Sequence, residues 1–275
     1  MGEDFPMTIR SNLETWRTTL NIITEPDRSS TRGRLEYTDE KHDAKKFRYL
    51  TPTLDIRPEH LNNFPSLSSS SFHLLADPRE AIDLIGSLLE LRNASGISSR
   101  PLIIWEPRPS SCISSNLEYF YEAISMVDVF SPNHVELSAC FGHSMLDIFD
   151  SRSVEDQAIR LFEAGFAGSR KGSIIIRAAE HGSLVVSHTT QPKWLPAFYQ
   201  PISTGDGLSV PNPKIVDPTG AGNAYLGGFA IGLLGSSDLV TAAKYGTVAA
   251  SFALEQIGLP ILSYDHANGQ ELWMA

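Results

Sequence analysis

The sequence lacks the features that mark a secreted, metal-binding or membrane-spanning protein. Its 275 residues include two cysteines, Cys112 and Cys140, whose separation matches no metal-ligand motif. So few thiols favour a reducing compartment. No secretory leader is visible at the N-terminus, and no run of about 18 apolar residues could form a transmembrane helix. We therefore expect a cytoplasmic protein with no membrane contact.

A basic surface is also missing. Lys and Arg total 22 against 32 Asp and Glu, so the formal net charge is -10, and the basic residues form no stripe. This balance disfavours nucleic-acid binding, which needs clustered cations against phosphates. The eight histidines include no H-x-x-x-H pair, which argues against a catalytic zinc site. No G-x-G-x-x-G turn follows an N-terminal strand, which argues against a nicotinamide-dependent oxidoreductase.

From about residue 70 the chain alternates between short apolar runs and helical patterns. Strands are predicted at 71–75, 101–105, 127–130 and 172–177, with 182–186 as the hairpin partner of the last. Helices are predicted at 79–92 and 115–126, within 147–164, from the turn after residue 217 to about 234, and at 238–257. Continuous apolar strands between helices are typical of a buried parallel sheet. We predict an α/β doubly wound, mostly parallel sheet with helices on both faces.

The first 60 residues are more polar than the rest. A helix is predicted within 7–23, a short strand at 32–37 and a solvated loop over the charge run 39–46. We therefore divide the chain into an N-terminal segment, residues 1–60, and an α/β core, residues 61–275.

The most informative stretch is a glycine-rich turn, Asp217-Pro218-Thr219-Gly220-Ala221-Gly222-Asn223, which follows a predicted short strand, Ile215-Val216. The first N–H groups of a helix have no intrahelical partner, and the helix dipole is positive there. Glycines let a ligand approach this backbone closely, so the turn suits an anion such as phosphate. A tight turn with an ordinary helix cap is the alternative interpretation.

Ligands of open α/β sheets bind beyond the carboxyl ends of the strands. The candidates at those ends are Glu106, then Asn133 and Glu136, then residues 178–182, and finally the glycine-rich turn. Both glutamates have an ordinary alternative, since a strand end or a helix start often carries a solvated carboxylate.

Four motifs, in this order along the chain, resemble the PfkB, or ribokinase-like, family of sugar and nucleoside kinases. Asn133-His134-Val135-Glu136 is similar to the family's N-x-x-E motif, and the segment from Ile175 to Gly182 resembles the strand-turn before the nucleotide loop. The stretch from Asp217 to Gly228 is similar to the signature D-x-T-G-A-G-D-x-x-x-G-G, and Lys244 to Ser251 resembles the helix that flanks the adenine pocket. The resemblance covers roughly residues 70–260.

This resemblance implies ATP-dependent phosphorylation of a hydroxyl group on a small sugar or nucleoside. The backbone of Gly220, Ala221 and Gly222 would stabilise the transferring phosphoryl group. The positions implied for nucleotide contact are Ala178, Gly182, Thr219, Gly246, Ala249 and Ala250.

The resemblance also implies metal ions beside the nucleotide. Mg²⁺ would be organised through water by Glu136 with Asn133, and Asp217 is the third metal position. Asp217 and Thr219 match positions that bind a monovalent cation in some members of the family.

One departure from the family signature falls on the catalytic base. The family has an aspartate after Gly-Ala-Gly, where this chain has Asn223. An amide cannot accept the proton of a hydroxyl, and general-base assistance is typically worth ~10²–10⁴-fold in rate. Asparagine still suits a helix start, so binding can persist. We therefore predict a weakened kinase or, alternatively, a nucleotide-binding pseudokinase with a scaffolding or regulatory role.

A second departure is the lack of any Gly-Gly pair before Gly227-Gly228, where the family has an early pair that contacts the sugar. We expect a ribokinase-like fold without the N-terminal strand and part of the lid, with residues 1–60 as the remnant of the lid and its flanks. A sheet edge left uncovered invites pairing, so a homodimer or a partner chain is expected there.

The sequences around Thr31-Arg32-Gly33, Phe47-Arg48-Tyr49 and the turn resemble the fungal "maintenance of killer" branch of the family.

Overall fold

The computed structural model describes residues 1–16, 18–37, 45–54, 56–143, 149–167, 172–204, 208–264 and 271–274. Its helices are α1 (Met7–Thr15), α2 (Pro78–Ala94), α3 (Leu117–Ser125), α4 (His134–Cys140), α5 (Ser151–Gly165), α6 (Ala221–Ser236) and α7 (Leu239–Leu254). Its strands are β1 (Gly33–Tyr37), β2 (Lys45–Tyr49), β3 (Ser71–Ala76), β4 (Leu102–Pro107), β5 (Val129–Phe130), β6 (Ser173–Arg177), β7 (Ser183–Ser187), β8 (Lys193–Leu195), β9 (Ile202–Ser203), β10 (Ser209–Val210), β11 (Ile261–Tyr264) and β12 (Glu271–Met274). No described helix combines the length and the apolar character needed to cross a membrane.

The chain divides into two compact units. The N-terminal unit comprises Met1–Arg57, Pro213–Thr219 and Phe252–Ala275, and the sheet unit comprises Pro58–Asn212 and Gly220–Ser251. The division of the sequence after residue 60 stays a prediction about domain organisation. Most of the charge run 39–46, and the start of the helical region predicted within 147–164, lie outside the described residues.

The N-terminal unit contains two small antiparallel pairs, β1 with β2 and β11 with β12. The helix predicted within 7–23 is shorter than that range, because α1 gives way to extended backbone at Trp16. The strand predicted at Ile215-Val216 is wrong. The N–H groups of Val216 and Asp217 donate instead to the carbonyl oxygen of Leu254, at 2.7 and 3.2 Å, so this segment pairs with the last residue of α7 and not with a sheet.

The sheet unit is built on six strands in the order β3-β4-β5-β6-β7-β8. Neighbouring strands from β3 to β6 run parallel, and β7 and β8 add two antiparallel strands at one side. The predicted hairpin is β6 with β7, in which Ser173 lies opposite Ser187. The mostly parallel sheet expected from the apolar runs is therefore confirmed.

Helices cover both faces of this sheet. Successive side chains of a strand point to opposite faces. Ile103 and Trp105 of β4 accordingly pack in the cluster formed with α2, α3, α4 and α5, whereas Ile104 packs in the cluster formed with α6 and α7. All three side chains are fully buried. Burial on both faces explains why the central strands are continuously apolar, and it confirms the doubly wound arrangement.

Glycines allow α6 and α7 to approach each other closely. A β-carbon on Gly228 would lie 2.6 Å from Cβ of Ala249 and 2.7 Å from the carbonyl oxygen of Tyr245. A β-carbon on Gly246 would lie 2.8 Å from the carbonyl oxygen of Tyr225. Atoms do not approach each other this closely, so the crossing of the two helices requires glycine at both positions.

The strand β3 forms one edge of the six-stranded sheet, with Leu75 49% exposed. An edge strand presents unpaired backbone groups to its surroundings. The expected uncovered edge, and its pairing with a second copy or a partner chain, stay predictions.

Candidate functional site

Charged and polar side chains meet at the carboxyl end of the parallel strands, all within the sheet unit. Glu106 lies near the end of β4, Arg177 ends β6, and Asn133 and Glu136 stand at the start of α4, shortly after β5. His73 of β3 contacts Glu106. We call these five residues the strand-end cluster. The sheet brings them together because the carboxyl ends of parallel strands share one edge.

The N-x-x-E motif forms a capping box at the start of α4. Oδ1 of Asn133 accepts a hydrogen bond from the N–H of Glu136 at 2.8 Å, and Oε2 of Glu136 accepts one from the N–H of Asn133 at 2.7 Å. The motif therefore starts a helix that hydrophobic periodicity did not predict. The two predicted metal positions are brought together, with these two oxygens hydrogen-bonded to the backbone.

The guanidinium of Arg177 lies beside both carboxylates of the cluster. Its Nη2 atom is 2.7 Å from Oε1 of Glu106 and 3.8 Å from Oε2 of Glu136. The same nitrogen donates to the carbonyl oxygen of Ser131 at 2.9 Å. The side chain of Arg177 is 13% exposed and that of Glu136 is 8% exposed. The charged groups are thus largely withdrawn from water. Their mutual attraction is stronger in the protein interior than it would be in water.

Glu106 stays ionised in this environment. Its burial opposes ionisation, but the hydrogen bond to His73, at 3.0 Å from Nε2, and the charge of Arg177 outweigh the burial. Together they hold the pKa of Glu106 below its ordinary value. The cluster therefore keeps a carboxylate paired with a guanidinium, as a buried charge requires.

The two glycines at the start of α6 have different surroundings. Gly220 caps the helix with a φ of 85°, the left-handed conformation that favours glycine, and a β-carbon there would meet no described atom within 4 Å. A β-carbon on Gly222 would overlap Nη1 of Arg177. Gly222 therefore makes room for an arginine of this chain, whereas Gly220 leaves its side of the turn open.

Within the described residues, the first turn of α6 presents backbone donors without a hydrogen-bond partner. The N–H of Ala224 donates to the carbonyl oxygen of Gly220 at 2.9 Å, which closes the first turn. The N–H groups of Ala221, Gly222 and Asn223 precede this bond, so the helix offers them no partner. The side chain of Asn223 is exposed at the third position of the helix. The arrangement can hold an anion, as expected of such a turn.

Tyr225 is the titratable residue that follows in α6. It is buried and donates a hydrogen bond to Oγ of Ser183 at 3.0 Å. Burial raises the pKa of Tyr225 to about 12, although the Ser183 hydroxyl and the charge of Arg177 act in the opposite direction. Its phenol therefore stays protonated at neutral pH and cannot serve as a general base there.

The remaining predicted positions have separate structural roles. Asp217 and Thr219 belong to the N-terminal unit, where Oδ1 of Asp217 accepts a hydrogen bond from the N–H of Thr219 at 2.9 Å. The others lie in the sheet unit. Ala178 is buried after β6, and Gly182 has a φ of 91° and no room for a β-carbon beside Leu195. In the two long helices, Gly246 and Ala249 lie at the crossing and Ala250 packs on the core. Their contacts with nucleotide or cation stay predictions.

The donor set of the cluster does not fit direct coordination of Mg²⁺. That ion demands near-ideal octahedral oxygen ligation. Among the described residues, no group of three or more His, Cys, Asp and Glu side chains could hold a metal ion. Both carboxylates of the cluster already face Arg177. Contact with Mg²⁺ through water, by Glu136 with Asn133, stays a prediction.

Two members of the cluster, Arg177 and His73, were not predicted from the sequence. The run Ser173-Ile174-Ile175-Ile176-Arg177 ends an apolar strand with a cation, a pattern that indicates a polar site at the strand end. The partners of Arg177 could not be inferred in the same way, because Glu106 and Glu136 come from other strand ends.

Relatives of the chain were found by sequence. A family model described as pfkB family carbohydrate kinase matches residues 87–263. An uncharacterized protein of Schizosaccharomyces pombe is 28% identical over 276 residues, which span 99% of this chain and 74% of that protein. Protein MAK32 of Saccharomyces cerevisiae is 27% identical over 270 residues, which span 94% of this chain and 70% of that protein. Both relatives are fungal, in agreement with the branch that the motifs indicate.

Solved structures share the fold. Anopheles gambiae adenosine kinase, in complex with P1,P4-di(adenosine-5) tetraphosphate, matches with a TM-score of 0.65 at 19% identity, over 94% of this chain and 72% of that one. A ribokinase II of Escherichia coli, in complex with ATP and Mg²⁺, matches with a TM-score of 0.57 at 16% identity, over 86% of this chain and 68% of that one. These likenesses establish a ribokinase-like fold.

Proposed function

The chain belongs to the pfkB family of carbohydrate kinases, and on that premise we propose that it binds ATP with its phosphates at the start of α6. It transfers the terminal phosphoryl group slowly, to a hydroxyl of a sugar or nucleoside. One observation carries this proposal: the free N–H groups after Gly220 are retained, while the base position holds Asn223. An adenosine kinase and a ribokinase among the structural neighbours favour a nucleoside or a sugar as acceptor.

The start of α6 supports the binding step. Negative charge gains about 0.3–1 kcal/mol near a helix N-terminus at exposed sites. The left-handed backbone at Gly220 leaves space for a phosphate to approach the N–H groups of Ala221, Gly222 and Asn223. During phosphoryl transfer, charge spreads over the equatorial oxygens of the moving group, so fixed donors at this place also favour the transition state.

Asn223 limits the transfer step. Its amide can orient a hydroxyl by hydrogen bonding, but it cannot take the proton that the hydroxyl loses. Loss of a general base typically costs ~10²–10⁴-fold in rate. The nearby Tyr225, whose pKa is raised to about 12, cannot take that proton either. We therefore infer a site that binds better than it turns over.

The substitution Asn223→Asp tests the proposal. It places a carboxylate at the third position of α6, where the helix dipole favours negative charge. We expect the rate of ADP formation to rise at least about 10²-fold with any sugar or nucleoside that accepts the phosphoryl group. The measurement is coupled ADP release over a panel of sugars and nucleosides. Asn62→Asp, which adds the same charge at an exposed position of the sheet unit, serves as the matched control and should leave the rate unchanged.

The alternative is a nucleotide-binding pseudokinase with a scaffolding or regulatory role. The contact of Arg177 with both carboxylates of the strand-end cluster favours it. If ATP raises the melting temperature but no acceptor yields ADP above background, even with Asn223→Asp, the kinase proposal fails and the pseudokinase stands. If ATP gives no thermal stabilisation at all, both proposals lose their common premise.

A further inference from the structure

The strand-end cluster carries its own cation, Arg177, beside the proposed phosphate site. We propose that the guanidinium of Arg177 replaces the divalent metal as the source of positive charge there, so that nucleotide binds without Mg²⁺. This inference rests on the proposed function, because it concerns the charge requirement of the same site.

The two carboxylates of the cluster already have a cation beside them. Nη2 of Arg177 is 2.7 Å from Glu106 and 3.8 Å from Glu136. Arg177 lies against Gly222 at the start of α6 and contacts both carboxylates. Without it the two carboxylates would be uncompensated negative charges that repel phosphate and attract a metal. With Arg177 between them, the three side chains carry a single net negative charge. The need for a metal to offset that repulsion is correspondingly smaller.

Arg177 is fixed in place before any ligand arrives. Its backbone ends β6, its N–H donates to the carbonyl oxygen of Pro132 at 3.2 Å, and Nη2 donates to that of Ser131 at 2.9 Å. The side chain is 13% exposed. A guanidinium held in this way loses little conformational entropy when it binds an anion.

One nitrogen of the guanidinium, Nη1, lies at the start of α6 with no hydrogen bond to the described residues. In the described part of the chain, the hydrogen bonds and ion pairs of the guanidinium all use Nη2, and Nε is buried without a partner. Nη1 lies against Gly222, in the first turn of α6. A cation near a helix N-terminus is disfavoured by the helix dipole, and an anion bound between the two would relieve this repulsion. Arg177 and the turn thus favour the same ligand.

Mg²⁺ alone provides the first test, which needs no nucleotide. We expect no saturable rise in melting temperature for the unmodified protein, and a saturable rise for Arg177→Met, whose two carboxylates lack their cation. Arg152→Met removes an exposed arginine of α5 and should behave like the unmodified protein. An equal, saturable stabilisation of the unmodified protein by Mg²⁺ would overturn the inference.

Nucleotide affinity provides the second test. Titration calorimetry with ATP is performed in excess Mg²⁺ and in EDTA, on the unmodified protein and on the double variant R177M/E106Q. The double variant removes one charge of each sign, so it guards against misfolding caused by a buried unpaired carboxylate. We expect less than about a threefold change in Kd for the unmodified protein between the two conditions. For the double variant we expect more than about tenfold, because it keeps the net charge of the three side chains but lacks the guanidinium beside Gly222.

The outcomes separate this inference from the proposed function. If ATP binds the unmodified protein only in Mg²⁺, with the same dependence in R177M/E106Q, the inference fails and the proposed function survives. If ATP binds in neither condition, the proposed function fails and the inference falls with it.

Discussion

Gly220 and Gly222 stand two residues apart at the start of α6, and each is required for a different physical reason. Gly220 adopts a left-handed backbone that side chains disfavour, and its surroundings are open. Gly222 lies against Nη1 of Arg177. At the residue scale, Gly220 therefore keeps its side of the turn open, where we propose that phosphate binds, and Gly222 makes room for Arg177.

The substitution Gly222→Ala should displace Arg177, because the new methyl group would overlap Nη1. We expect the free energy of unfolding to fall by about 1 kcal/mol, because the tip of the Arg177 side chain can shift but then loses its present contacts with the carboxylates, and ATP affinity to fall with it. Gly227→Ala is the control in the same helix, since its methyl group meets no described atom within 4 Å. It should raise stability by about 0.5–1 kcal/mol through helix propensity. Denaturant unfolding measures both, and a Gly222→Ala variant as stable as Gly227→Ala would contradict the assignment.

At the scale of elements, Gly228 at the end of the signature and Gly246 of α7 belong to a helix crossing. Gly228 faces Ala249 and Tyr245, and Gly246 faces Tyr225, at distances that admit no β-carbon. The similarity of Lys244 to Ser251 with a nucleotide-flanking helix therefore has a packing component, whatever the helix binds. The short helix α4 makes the same point, because its N-x-x-E motif caps the helix through Asn133 and Glu136.

The substitution Gly246→Ala tests this packing role. A methyl group would lie 2.8 Å from the carbonyl oxygen of Tyr225, so we expect overpacking to cost about 1–3 kcal/mol of stability. Gly235→Ala, near the end of α6, meets no described atom within 4 Å and should be neutral or stabilising by up to about 1 kcal/mol. Equal thermal stability of the two variants would show that α6 and α7 do not depend on the glycine contact.

At the scale of the whole molecule, the strand-end cluster links stability to pH. The pKa of Glu106 in the folded protein is held below its ordinary value of 4.5. A carboxyl group with a lowered pKa stabilises the folded state above its unfolded pKa, and this contribution is lost as the pH falls through the folded pKa. The contribution of Glu106 is thus present at neutral pH and disappears in acid.

The substitution Glu106→Gln should therefore reduce stability at neutral pH by about 2 kcal/mol, the typical worth of a hydrogen bond to a charged partner. The difference from the unmodified protein should shrink as the pH falls below 4.5. Glu90→Gln, at an exposed position of α2, should show neither effect. The test is to measure denaturant midpoints of both variants and the unmodified protein from neutral to acidic pH. A stability difference for Glu106→Gln that does not depend on pH would refute the conclusion that Glu106 is ionised in the folded protein.

Features of the fold that depend on neighbouring residues could be predicted from the sequence, whereas those that depend on distant partners could not. The central strands and helices were predictable because burial on two faces imposes continuous apolar runs, as at Ile103, Ile104 and Trp105. The strand at Ile215-Val216 was predicted wrongly because two apolar residues do not specify their partner, which here is the carbonyl oxygen of Leu254. The helix α4 is too short for periodicity to indicate it, although its capping residues are visible in the sequence.

The sequence by itself determined the glycine-rich turn, the amide at Asn223 in place of a carboxylate, and the alternation of elements that builds the sheet. These properties are local, since a turn, a side-chain functional group and an apolar run can each be recognised without knowing their neighbours. Only the tertiary structure decided that Arg177 faces Glu106 and Glu136 and fills the space beside Gly222. That arrangement depends on strands β4, β5 and β6 ending at one edge of the sheet, which sets the charge of the site through residues that are far apart in the chain.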